Sequence, residues 1–355
     1  METRILRCML TGLGNIGRTF LEILPNRAAL LRERYGVVLQ FVAVADASGC
    51  ITCAQGLDPA AIVACKRAKQ GVIQLVGGDI QSSDTLAAIE QLAADVLFEA
   101  TPTDIHTGQP GLDVIRAALQ RGTHVVMASK GALVVAFDEL ARLSDWSGDR
   151  HAPRLRFSGA VAGALPSVNL GWRDLAGGEI ATIEAVLNGT TQVMLTMMGE
   201  GKTYAEALAE AQRIGIAEPD PTLDVEGWDA ANKLLILANA VLRQPTRLSD
   251  IAVEGITHVT PDDIHRARHA GGNLILLAKA ERSTGGRYAL SVRPTTVPAS
   301  HPLARLGMQE AGIVYQSDIF GRTTAFSMED GPVGTAAAML RDLLSISPEI
   351  TATAK

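Results

Sequence analysis

Gly12-Leu13-Gly14-Asn15-Ile16-Gly17 stands between an apolar run, Ile5–Thr11, and a stretch with Phe20, Ile23 and Leu24 on one side, Arg18–Leu24. The first reads as a buried strand and the second as a helix. Each glycine then has a physical task. Gly12 permits the tight turn out of the strand. Gly14 lets a pyrophosphate approach the backbone, and Gly17 lets the helix pack close to the strand. The helix N-terminus offers free N–H groups and the positive end of its dipole to phosphates. A bare G-x-G-x-x-G is a weak signal, but strand before and helix after make this one a candidate dinucleotide cradle of Gly12, Leu13, Gly14, Asn15, Ile16 and Gly17.

Working outward, the texture repeats. Ala28–Tyr35 reads as a helix and Val38–Ala45 as a second strand ending in Asp46. Gly49–Gln70 reads as loop and helix. Asp95–Glu99 is a third strand, Gly111–Gln120 a helix and His124–Met127 a fourth strand. Short apolar strands alternating with helices predict an α/β, Rossmann-type, doubly wound parallel sheet. Asp46 is placed to accept from a ribose 2′-OH, which favours NAD, or simply to close a turn. Lys66, Arg67 and Lys69 could instead meet a 2′-phosphate, so NAD and NADP both stay open.

The polar joint Gly148–Pro153 marks a change of texture. The expectation is a dinucleotide-binding domain over 1–150, an α+β substrate-binding and dimerisation domain over 151–320, and a C-terminal helix in 321–355 that returns to the first domain. Ile180–Leu187, Leu274–Ala280 and Arg287–Pro294 read as strands of the second domain. Tyr204–Ile214 and Gly227–Leu242 read as helices.

Bulk composition narrows the function classes. With 355 residues, 47% apolar and 20% charged, the chain can build two cores, so disorder is not expected. A net charge of −6 and no basic run argue against nucleic acid. No 18-residue apolar run and no secretory signal are visible, so no membrane and a cytoplasmic location are expected. Four cysteines are too few for a disulfide framework, and Cys50-x-x-Cys53 lacks the second pair a zinc ribbon needs. Buried thiols are the simpler reading. His265 and His269 lie four apart without a third ligand and read as a solvated helix face. No metal is expected.

The densest chemistry is Glu218-Pro219-Asp220-Pro221-Thr222-Leu223-Asp224, followed by Gly227, Asp229 and Lys233. Asp229 and Lys233 are four apart and share a helix face. Such a pair can manage a proton while a hydride moves, or can be an ordinary surface ion pair.

This segment resembles the homoserine dehydrogenases, whose pattern AEPDP..D..G.D...K is met by Ala217–Pro221, Asp224, Gly227, Asp229 and Lys233. The family's NGTTN is similar to Asn188–Gln192, and its VVTANK to Val125–Lys130. Gly255–Thr257, Pro261–Ile264 and His301–Ala304 extend the likeness over nearly the whole chain. The resemblance implies reversible reduction of aspartate 4-semialdehyde to homoserine, with NAD or NADP as cofactor and a small amino-acid substrate. It implies Lys233 as proton donor with Asp229 beside it, and Lys130 by the nicotinamide and reacting oxygen. It further implies Glu218 and Asp224 on the substrate ammonium, Gly189 and Thr190 at the substrate, and Thr101, Pro102 and Gly331 along the cofactor. A homodimer through the second domain's sheet is also implied.

The chain departs from the family at Ser129, Gln192 and Ser158, the last standing where a glutamate borders a monovalent-cation site in some members. The carbonyls of Val161 and Gly163 remain conceivable ligands. The family's GxGAG becomes Ser327-Met328-Glu329-Asp330-Gly331, which brings in two acids. A related dehydrogenase acting on another small amino-acid aldehyde or carbonyl, and a catalytically silent cofactor-binding protein, are the competing expectations. Retention of Lys130, Asp229 and Lys233 argues against the silent one. No threonine feedback through an appended regulatory domain is expected.

Overall fold

In the computed structural model the described residues are 3–82, 84–329 and 331–352. The chain forms two compact units. One runs to Ala160 and resumes at Pro332, and the other is Val161–Gly331.

Among the described residues the first unit has seven strands: β1 Arg4–Thr11, β2 Val37–Asp46, β3 Gly49–Leu57, β4 Ile80–Ser82, β5 Val96–Glu99, β6 His124–Met127 and β7 Leu155–Arg156. Their order is β4-β3-β2-β1-β5-β6-β7. β2, β1, β5, β6 and β7 run parallel, joined by helices that include Asn15–Ile23, Gly111–Gln120 and Gly131–Arg142. The winding reverses between β1 and β5, and the glycine turn leaves β1 at that point. Doubly wound sheets bind ligands at such switch points.

The sheet is mixed rather than purely parallel. Gly49–Leu57, expected as loop and helix start, is a strand antiparallel to β2, and β4 extends it. Its first five residues are all buried, so no period-two alternation announces it, and its Gly, Ala and Cys content hides the pattern. All four cysteines are buried and free. Burial pushes the Cys50 thiol up to about 11, which suits packing rather than redox exchange.

The first core lies on one face of this sheet, to which Leu6, Cys8 and Leu10 of β1, Val96 and Phe98 of β5 and Val126 of β6 all point. Phe20, on the helix after the glycine turn, stacks on Phe98 of β5 with centroids 4.6 Å apart. Helix Pro332–Ala352 sends Ala336, Met339, Leu343 and Ile346 into the same core. Its Asp342 accepts from Ser158 through the backbone N–H at 2.7 Å and the hydroxyl at 2.6 Å. The small Ser158 thus anchors the returning helix.

The second unit carries a sheet of order β13-β12-β8-β10-β11-β9, made of β8 Ile180–Val186, β9 Ile251–Val253, β10 Gly272–Arg282, β11 Tyr288–Pro298, β12 Glu310–Ser317 and β13 Gly321–Met328. Neighbours are antiparallel except β11 and β9. Residues 321–331 were expected with the C-terminal segment. Of these, Gly321–Met328 instead form β13, hydrogen-bonded to β12. Met194, Met197 and Met198 are buried on helix Gly189–Met198, whose buried residues occur all round it, so no amphipathic stripe marked it as a separate element.

Candidate active site

Gly12 is left-handed at φ 85, and a Cβ there would lie 2.2 Å from the carbonyl of Ala100 after β5. A Cβ on Gly17 would lie 1.9 Å from the Gly12 oxygen. At Gly14 it would meet nothing within 4 Å. Two glycines are thus forced by packing, while the middle one faces open space at the start of helix Asn15–Ile23. No side chain caps that helix. A dinucleotide pyrophosphate fits this combination of open backbone and uncapped N–H groups.

Asp46 closes β2 and is not free. It pairs with Lys66 and accepts from Ser48 N–H at 2.8 Å, Ser48 hydroxyl at 2.5 Å and Val72 N–H at 3.2 Å. Burial opposes its ionisation, but Lys66 and these donors outweigh it and hold the carboxyl below its ordinary range. Folding therefore favours the ionised form, a stabilisation present above the ordinary carboxyl pKa and lost as pH falls through the lowered one.

Past β5, Glu99 is fully buried and was not singled out by the sequence reading. It accepts from the Thr101 N–H at 2.8 Å, from the Thr101 hydroxyl, and from the Ser129 hydroxyl at 2.6 Å. One carboxylate therefore ties the loop bearing Thr101 and Pro102 to the loop bearing Lys130. Ser129, standing where the family has asparagine, supplies one of those bonds. The Lys130 N–H reaches the Thr103 hydroxyl at 3.4 Å. Pro102 and His106 are exposed.

In the second unit, Asn188, Thr190, Asp224, Asp229 and Lys233 converge. Gly227, left-handed at φ 88, starts helix Trp228–Ala240, which carries Asp229 and Lys233 one turn apart. Lys233 Nζ donates to Asp229 Oδ2 at 2.8 Å and to the Leu187 carbonyl at 2.6 Å. Both side chains are only 13% exposed, so this is not the solvated surface pair that spacing alone allowed. Asn188 Nδ2 donates to Asp224 at 2.6 Å and to Asp229 at 2.9 Å. The Thr190 hydroxyl donates to Asp224 at 3.0 Å. Burial and then the neighbouring Asp229 charge push the Asp224 carboxyl up, against Asn188, Thr190 and Lys233.

Asn188 is the hub, yet the sequence reading passed over it. Its signal was its place before Gly-Thr-Thr, where its side chain also accepts from the Thr191 N–H at 2.8 Å and caps the helix. Gly189 follows it with open space where a side chain would be. Glu218 is not in this cluster. Its side chain is exposed, and among the described residues its carbonyl accepts from Gln212 at 3.3 Å. Gln192 donates to the Gly307 carbonyl at 3.2 Å, which gives that departure a structural task. Gly331 is left-handed at φ 104, and Asp330 lies outside the described residues.

His265 and His269 are exposed, and among the described residues no three His, Cys, Asp or Glu side chains are grouped to hold a metal. Nor is any described helix long and apolar enough to cross a membrane.

Comparison with known proteins supplies the family. Residues 12–151 match the model of the homoserine dehydrogenase NAD binding domain, and residues 166–344 match the homoserine dehydrogenase model. A protein named NAD(+)-dependent homoserine dehydrogenase from Pseudomonas canavaninivorans is 33% identical over 96% of this chain and 96% of its own. A homoserine dehydrogenase from Methanocaldococcus jannaschii is 33% identical over 95% and 97%. The crystal structure of a homoserine dehydrogenase from Thiobacillus denitrificans superposes with a TM-score of 0.83 at 26% identity, covering 99% of this chain and 75% of that one. The chain therefore belongs to the homoserine dehydrogenase family, NAD(P)-dependent oxidoreductases acting on a CH–OH group.

Proposed function

We propose that the chain interconverts L-homoserine and L-aspartate 4-semialdehyde, with Lys233 exchanging the proton at the substrate oxygen. The observation that carries this reading is the half-buried Lys233–Asp229 pair, fixed by the Leu187 carbonyl and by Asn188. Bound at the glycine turn, NAD or NADP supplies or accepts the hydride. In the reducing direction a Lys233 N–H gives its proton to the nascent alkoxide while Asp229 orients the ammonium. Asp224, held by Asn188 and Thr190, takes the substrate ammonium through a charge-assisted bond. Glu218, free on its loop, joins it when substrate arrives, beside Gly189. Lys130 stands by the reacting oxygen and the nicotinamide, while Thr101, Pro102 and Gly331 line the cofactor. Steady-state oxidation of homoserine with NAD and then NADP at alkaline pH tests the reading. Substrate-dependent formation of reduced cofactor supports it, and cofactor binding without homoserine turnover contradicts it.

Cofactor choice rests in this reading on Asp46 and Lys66 together. A bare Asp46 would repel a 2′-phosphate, and Lys66 offsets that charge. Lys66→Ala is expected to raise KM for NADP about tenfold, the size of one charge-assisted bond, and to leave KM for NAD within about twofold. Equal changes for both cofactors would contradict this.

The reading also includes a cytoplasmic homodimer. Leu277, Lys279 and Glu281 of β10 share a face with Ser291, Arg293 and Thr295 of β11, and with Glu184 and His301 they line a groove along the second sheet. This face suits a second copy. Light scattering is expected to give twice the 37.4 kDa chain mass, and a monomer at micromolar concentration would count against the dimer.

A further inference from the structure

β5 ends in Glu99 and β6 in Met127, at the same edge of the parallel sheet where the glycine turn leaves β1. Asp46 ends β2, on the other side of β1. A dinucleotide laid across this edge, with its pyrophosphate on the glycine turn, sends its adenosine half toward β2. Its nicotinamide half then lies over the loops that follow β5 and β6.

Those loops, 100–110 and 128–130, are joined at three points. Fully buried Glu99 accepts on Oε1 from the Thr101 hydroxyl and from the Thr101 N–H at 2.8 Å, and on Oε2 from the Ser129 hydroxyl at 2.6 Å. The Lys130 N–H donates to the Thr103 hydroxyl at 3.4 Å. Gly131, the first residue of helix Gly131–Arg142, has no room for a side chain, because a Cβ there would overlap the Asp104 carbonyl. Asp104 also closes the first loop on itself. Its carboxylate accepts from the His106 N–H at 2.8 Å, and its carbonyl from the Gly108 N–H at 2.9 Å.

Glu99 further meets helix Gly111–Gln120 at its first residue. A Cβ on Gly111 would lie 3.0 Å from Glu99 Oε1 and 3.1 Å from the Thr101 hydroxyl oxygen. The positive end of that helix dipole thus lies beside the carboxylate. The rest of β5, Val96, Leu97 and Phe98, is buried and apolar. A carboxylate in such a strand costs free energy that an apolar residue would not, and is tolerated only where donors meet it. Here the donors come from both loops at the cofactor edge. Burial pushes the Glu99 carboxyl up, and the Ser129 and Thr101 donors oppose that.

We propose that Glu99 is a positioning residue for the nicotinamide half of the cofactor. It locks the loop of Thr101, Pro102 and Thr103 to the loop of Ser129 and Lys130, so that the two present one fixed edge to the ring. The inference rests on the placement of the cofactor at the glycine turn given above. Glu99 acts through Thr101 and Lys130 rather than by contact with the reacting atoms.

The test titrates NAD and ADP-ribose by calorimetry into the unaltered protein, Glu99→Gln and Ser129→Ala. ADP-ribose keeps the adenosine and pyrophosphate and lacks the nicotinamide ring. Glu99→Gln places an amide N–H where Thr101 or Ser129 needs an acceptor. It is expected to weaken NAD about tenfold and to leave ADP-ribose within about twofold. Ser129→Ala cuts only the bond to the second loop, and NAD should weaken about threefold, again without ADP-ribose. At saturating NAD, kcat for homoserine oxidation should fall about tenfold in Glu99→Gln, since a displaced ring is misaligned for hydride transfer. A role in stability alone would move both ligands together. Should Glu99→Gln fail to fold, Ser129→Ala carries the comparison. Unchanged NAD affinity, or equal loss for NAD and ADP-ribose, in a folded variant would overturn the proposal. Absence of NAD binding by the unaltered protein would overturn both the proposal and the cofactor placement. NAD binding without homoserine turnover would strike only the reaction assigned above, and the two affinities would still decide the role of Glu99.

Discussion

Lys233→Ala is expected to lower kcat for homoserine oxidation by about 10²–10⁴-fold, the range supplied by a positioned acid or base. The glycine turn is untouched by this change, so the dissociation constant for NAD measured by fluorescence titration should stay within about twofold. The change also removes the Lys233 ammonium from the Asp229 carboxylate. A loss of about 1–3 kcal/mol in urea unfolding should accompany it, since one buried charge partner has been removed. Turnover within about threefold of the unaltered protein would remove Lys233 from the chemistry.

The second large effect separates two glycines that look alike in sequence. In Gly17→Ala the new methyl would overlap the Gly12 carbonyl oxygen, 1.9 Å away, so backbone must move. Overpacking against backbone is expected to cost about 1–3 kcal/mol of stability and to lower the melting temperature. In Gly14→Ala the methyl meets nothing, and Gly14 has an ordinary φ of −72. Stability should change by no more than about 1 kcal/mol, the scale of a helix N-cap substitution. The same methyl occupies the approach to the helix N-terminus, so NAD affinity should fall by at least about tenfold. Calorimetric melts with and without NAD check both. Equal destabilisation by the two variants, or unchanged NAD affinity in Gly14→Ala, would contradict the cradle.

Much of this was legible in the sequence because it depends on local pattern. A glycine turn between an apolar strand and a helix is a contiguous signal, and the α/β alternation around it follows from short apolar runs. Asp229 and Lys233 were legible as a helix-face pair. Their burial was not, since that depends on Leu187 and Asn188, brought in from the end of β8 and the turn after it. Other features were hidden for related reasons. β3 is buried along its first half and shows no alternation. β13 alternates only between half-buried and exposed residues, and its half-buried face, Gly321, Thr323, Ala325 and Ser327, is weakly apolar. Glu99 and Asn188 sat in plain view, but each draws its importance from partners distant in sequence: Ser129 thirty residues on, and Asp224 and Asp229 thirty-six and forty-one residues on. Burial of a carboxylate is a tertiary fact, and composition does not announce it.

The departures from the family pattern stand on the same ground. Ser158 and Gln192 are answered by structural partners, Asp342 and the Gly307 carbonyl. Glu329 is answered by the Ser327 hydroxyl and, through its N–H, by the Gln309 carbonyl. All three are met by partners within the fold.

The central claim is hydride transfer from C4 of homoserine, and isotopic labelling reaches it most directly. Homoserine carrying two deuteriums at C4 is incubated with the protein and NAD, and the reduced cofactor is weighed by mass spectrometry. The account predicts one deuterium in each reduced nicotinamide, with none incorporated from deuterated water. Reduced cofactor without the label, or no reduction with homoserine at all, would contradict it.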